Sequence, residues 1–304
     1  MPVEASLESS YSYQMYPRPD ELSPHAKSAI ERLMVALEFH ESARSVTGQG
    51  PRIQMYRNSV QSYTLAAESL ESLALRTRTD STRRRLRAWM DFSLAMRFAN
   101  VADIENLLPG ESRGAVYEAT DRAVQHLNTA YDLMAALEPP GSDRLLRWRI
   151  LRSSIQGLGH RARGEDADNH AQYRQASSDF RMSALSHEES ASLARQMDDE
   201  VAVLRIMGRS WWGKSDEFRT AAQVANGKAR LVLLERSAEA ARIAATFRPG
   251  WVPFEQVLAR AILLKDAAER SYNRRTTWIQ VVIGFVLGFI ANVFVTWSFN
   301  RLGK

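Results

Sequence analysis

Residues 276–299 hold no acidic or basic side chain, and this segment limits what the chain can become more than any other. Trp278 and Trp297 sit near its two edges. The helical rise between them is about 28 Å, close to the roughly 30 Å hydrocarbon core of a bilayer. Indole is apolar over its body and polar at its N–H, so paired tryptophans at that spacing suit the two interfaces of a spanning helix. Arg274 and Arg275 precede the run, and Arg301 and Lys304 follow it. The expectation is a single transmembrane anchor over residues 274–304, with a short basic tail.

The remainder is long enough for one large helical domain or two smaller ones, and its first residues lack the basic and apolar regions of a signal peptide. Arg260, Lys265, Arg270, Arg274 and Arg275 outweigh the cations beyond the run. The positive-inside rule therefore puts the preceding mass in the cytoplasm and the C-terminus across the membrane. The layout is that of a tail-anchored protein, without any family motif. Residues 1–22, rich in Ser, Tyr and Pro, read as a flexible arm, and Ser23 with Pro24 reads as a helix start.

Residues 23–273 read as an all-α bundle or stack of long antiparallel helices. Turn signals recur at Gly48–Pro51, Arg78–Ser81, Pro109–Ser112, Pro139–Asp143, Gly164–Asp168, Met197–Asp199, Asn226–Gly227 and Pro249–Pro253. Between them, apolar residues follow steps of three and four: Ile53, Tyr56, Val60, Tyr63, Ala67, Leu70 and Ala74 form one seam, and Val116, Thr120, Ala123, Leu127, Ala130 and Met134 another. Tetratricopeptide repeats place two short helices in 34 residues. Here one helix takes about that length, so no family is assigned.

The expected function is noncatalytic. No cysteine is present, which excludes disulfides, thiolate catalysis and cysteine zinc sites. No cofactor or metal is expected: the acids and histidines around residues 160–170 read as a solvated loop. Gly208–Ser215 matches the phosphate-loop pattern through Gly208, Gly213, Lys214 and Ser215. Helical periodicity runs straight through it, however, and too little chain follows for a parallel sheet, so a nucleotide-dependent switch ranks last.

Two surfaces carry the expected binding. Arg76, Arg78, Arg83, Arg84, Arg85 and Arg87 surround one turn, and Arg144 and Arg147 follow another. Cations in the first turn of a helix oppose the macrodipole, which points to an acidic protein partner. No nucleic-acid module is recognised. In an up-and-down array both turns share a pole that faces away from the bilayer. Within the anchor, Gln280, Gly284, Gly288, Asn292 and Thr296 form a row of small and polar residues four apart, suited to self-association in lipid. The sequence thus suggests a tail-anchored adaptor or receptor that holds an acidic partner at a membrane and assembles as a homo-oligomer. The alternative is an effector whose oligomerised anchor permeabilises the bilayer after the helical part senses a signal.

Overall fold

The computed structural model describes residues 26–108, 113–247, 249 and 252–302, without the side chains of residues 44, 252 and 288–302. The arm at 1–22, the helix start at Ser23–Pro24 and the turn residues Pro109–Ser112 lie outside them. Among the described residues there are nine α-helices and no strand. They are α1 (Lys27–Ser45), α2 (Gln49–Arg76), α3 (Asp80–Leu107), α4 (Arg113–Ala135), α5 (Asp143–Asn169), α6 (Tyr173–Arg195), α7 (Glu200–Val224), α8 (Gly227–Phe247) and α9 (Val252–Leu302).

Each helix packs chiefly on the next in sequence, so the molecule is a stack of antiparallel hairpins and not a closed bundle. Short connections force neighbours to run antiparallel. The register agrees: Ser190 Oγ donates to Ile150 O at 3.0 Å and Ser183 Oγ to Gly157 O at 2.7 Å, so positions in α6 fall as those in α5 rise. The α1–α2, α3–α4, α5–α6 and α7–α8 connections therefore share one edge. The α2–α3, α4–α5, α6–α7 and α8–α9 connections share the other, about 40 Å away along a 28-residue helix.

Small side chains allow the close pairing. Every helix from α1 to α8 has at least one buried alanine, and buried serines bond across to neighbouring backbones. Ser59 Oγ donates to Ala36 O at 2.7 Å, and Ser215 Oγ and Ser237 Oγ each donate to the other's carbonyl, at 3.0 and 2.8 Å. Such a bond satisfies the buried hydroxyl, which would otherwise cost about 1–3 kcal/mol. Where alternate helices leave a wider gap, aromatics fill it. Trp89 and Phe92 of α3 meet Trp148 of α5, each with ring centroids 5.1 Å from it, and all three are buried. They belong to one apolar cluster that runs through α1 to α5.

The expected seams are largely those that are buried, Ile53 through Ala74 in α2 and Val116 through Met134 in α4. One expected turn is misplaced. Gly164–Asp168 lies within α5, and the reversal falls at His170–Gln172, with Ala171 at φ 57°. The glycine serves packing instead: a Cβ on Gly164 would meet the Phe180 ring of α6 at 3.0 Å.

The last helix departs from the pattern. Phe254 and Ala261 are buried, with Val257 and Leu258 packed on Ala238 and Ala241 of α8. Beyond Ala268 every described residue of α9 is exposed apart from Thr276, which is half-buried. At 51 residues α9 is about 76 Å long. Its second half therefore projects past the array, on the edge that holds the α7–α8 connection.

Candidate functional site

The freestanding part of α9 is the first candidate. Trp278, Ile279, Val281, Val282, Ile283, Phe285, Val286 and Leu287 are 48–77% exposed. Eleven consecutive exposed residues, 277–287, cover three helical turns, so the apolar surface faces every direction. Residues 277–287 are not a core element of this fold. Leaving eight large apolar side chains half in water forfeits on the order of 10 kcal/mol, comparable with the net stability of a whole domain. Among the described residues, no helix is long and apolar enough to cross a membrane. The described side chains end at Leu287, so those of Asn292, Thr296 and Trp297 lie outside them, as does Gly288 beyond its helical backbone. Gln280 is exposed, and a Cβ on Gly284 would meet nothing within 4 Å, so this face is open.

The arginine edge is the second candidate, and the structure divides it. Arg83 donates from Nε and Nη2 to Thr77 O, at 3.2 and 3.0 Å, and from Nη2 to Arg78 O at 3.4 Å. It thereby satisfies carbonyls left open where α2 ends. Arg144 is tied to Glu138 and lies over the Trp89 ring, 5.5 Å from its centroid. Arg147 is buried and Arg85 half-buried. Arg83 and Arg144 thus tie the edge together. Arg76, Arg78, Arg84 and Arg87 remain exposed, Arg84 with a 2.8 Å ion pair to Asp80 one turn away. An exposed pair of that kind contributes little and yields readily to a competing anion.

The phosphate-loop pattern is helix. Gly208–Ser215 lies in the middle of α7, where backbone N–H groups are bonded to carbonyls four residues back. Its glycines are close-approach points: a Cβ on Gly208 would meet Phe254 at 2.8 Å, and one on Gly213 would meet the Ala184 backbone at 3.2 Å. Lys214 Nζ is 2.5 Å from Glu188 Oε1 and lies over the Trp211 ring, and the Ser215 hydroxyl is committed to Ser237. Nothing in this arrangement cradles a phosphate. The glycines let α7 touch α6 and α9.

A buried ionic network, with no signature in the linear sequence, joins three helices. Arg219 binds Asp216 at 3.1 Å and Asp168 at 2.8 Å; Arg161 binds Asp216 at 2.9 Å and Glu165 at 3.0 Å; Arg113 binds Glu165 at 3.0 Å. The Arg161 guanidinium also stacks on Trp212 at 3.5 Å. The acids expected in a solvated loop are thus inside helices, joining α4, α5 and α7. Among the described residues, no group of three or more His, Cys, Asp and Glu could hold a metal ion. Two histidines nearby have their pKa lowered. Burial drives the His187 pKa down to about 3, aided by Arg209 and Arg161, and burial also lowers that of His160. His160 faces Asp179, whose carboxyl burial pushes up.

Comparison with known proteins finds no family whose profile matches this chain, and no match among curated proteins or solved structures.

Proposed function

We propose that the chain is a membrane-tethered helical scaffold that uses α9 as its anchor and presents the arginine edge to an acidic protein partner. One observation carries this reading: α9 leaves the array and exposes an apolar surface around its whole circumference from Trp278 to Leu287. Lipid is the solvent that such a surface matches, and Arg274 and Arg275 stand where the headgroups would be. The exposed Arg76, Arg78, Arg84 and Arg87 lie on the edge opposite the one where α9 leaves, the two edges being about 40 Å apart along the helices. A partner bound there stands clear of the bilayer. The flanking cations favour a cytoplasmic scaffold, and the open face at Gln280 and Gly284 favours self-association of the anchors.

A glycosylation acceptor appended after Lys304 tests the anchor. When the full chain is made with microsomes, the tag is modified and the protein resists alkaline extraction. An unmodified tag together with extraction into the soluble fraction overturns the reading. The effector alternative draws on the same open face and separates by one measurement. Full-length protein in dye-loaded liposomes releases the dye if the anchors form a permeable assembly, and retains it if they serve as tethers.

A further inference from the structure

Cations gather where α9 leaves the array. Phe254 and Phe247 both lie against Gly208, which fixes the register between α9 and α8, and Val257, Leu258 and Ala261 follow along Ala241 and Ala238. Counting helical residues from that point, Arg274 stands level with Gly227, the first residue of α8. At this level α8 presents Lys228 and Arg230, and α9 presents Arg270, Arg274 and Arg275, all exposed. The acids Asp266 and Glu269 lie nearer the array, Glu269 engaged by Lys265 at 3.5 Å, and no Asp or Glu follows.

The order along the helix is informative. Arg270, Arg274 and Trp278 are four apart and share a face, with Ser271 and Arg275 beside them; together they line a shallow groove. A guanidinium donates two parallel N–H bonds to a phosphate, the hydroxyl offers a third, and the indole suits the interface below. Ile279 through Leu287 then continue as apolar surface, where acyl chains would lie. An acidic protein would match the cations but not their immediate passage into Trp278 and an all-round apolar helix.

We infer that this basic collar binds the headgroups of anionic phospholipids, an inference that rests on α9 being the anchor. Full-length protein in nanodiscs with roughly one phosphatidylserine to four phosphatidylcholines tests it by native mass spectrometry of the retained lipids. Phosphatidylserine is retained about threefold or more above its share of the disc. The R270Q/R274Q/R275Q variant retains the two lipids in the proportion supplied, while R76Q/R78Q/R87Q keeps the wild-type preference. Disc association without lipid preference, or a preference unchanged in the collar variant, overturns the collar alone. Failure of the wild type to associate with discs removes the anchor reading and the collar together.

Discussion

Gly157 of α5 lies directly against the imidazole of His187 in α6: a Cβ on the glycine would come within 2.8 Å of ring atoms Cε1 and Nε2. Both are buried, so neither ring nor helix has room to yield. Gly157→Ala gains about 1 kcal/mol of helix propensity but overpacks the contact by about 1–3 kcal/mol. The expected outcome is a lower unfolding midpoint, followed by circular dichroism at 222 nm. Gly50→Ala, at a helical site with nothing within 4 Å, is expected to raise the midpoint.

His187 makes stability depend on pH. Its folded pKa of about 3 lies below the ordinary value of 6.5, so the unfolded chain binds the extra proton first. Stability from this group is full above pH 6.5 and falls as pH drops towards 3, by about 2 kcal/mol at pH 5. His160, lowered by the same cause, acts in the same direction. Melting temperatures at pH 7.5 and 5 are expected to differ less in His187→Gln than in the wild type. An equal difference in the two proteins sinks the assignment.

Arg219 holds Asp216 and Asp168 from a site where its side chain is 7% exposed. Arg219→Ala leaves both carboxylates without it, at a cost of about 3–5 kcal/mol. Arg219→Lys recovers only part of this, because one ammonium cannot reproduce the fork between two acids. Urea unfolding of the three proteins checks the order.

The exposed members of the arginine edge are expected to act together in capture of an acidic partner. R76Q/R78Q/R84Q/R87Q is predicted to lose most binding to the partner recovered from detergent-solubilised membranes, with melting temperature unchanged. Arg83→Gln is predicted to lower the melting temperature, because it removes the cap on α2. Equal binding by the fourfold variant and the wild type ends the docking proposal.

Gly284 stands in open space, so Gly284→Leu costs the protomer nothing. With Gly288→Leu it is expected to abolish an oligomer seen by crosslinking in detergent or liposomes. An undiminished oligomer places the self-association elsewhere.

Much of the array was legible because its signals are local. Proline, glycine and polar clusters marked most of the connections, and the seams of α2 and α4 repeat with the helical period. What stayed hidden depends on neighbours. Gly164, Gly208 and Gly213 read as turn or phosphate-loop residues because a glycine admitting a neighbouring helix looks the same in one dimension as one that bends the chain. Val201 and Leu204 share the helical period that runs through Gly208 and Ser215 yet are exposed, because interior helices bury the sides facing two neighbours and not a single stripe. Glu165 and Asp168 read as solvated because their arginine partners lie in other helices. Arg83 and Arg144 resembled their exposed neighbours until the α2 carbonyls and the Trp89 ring came into view.

Sequential packing has a mechanical side. A chain whose helices are gripped chiefly by the ones before and after carries force in series. Tension applied along α9 loads its contacts with α8 and α7 first and reaches α1 only after crossing the remaining pairs. Such a stack yields hairpin by hairpin from the end that is pulled, and the far end keeps its shape the longest.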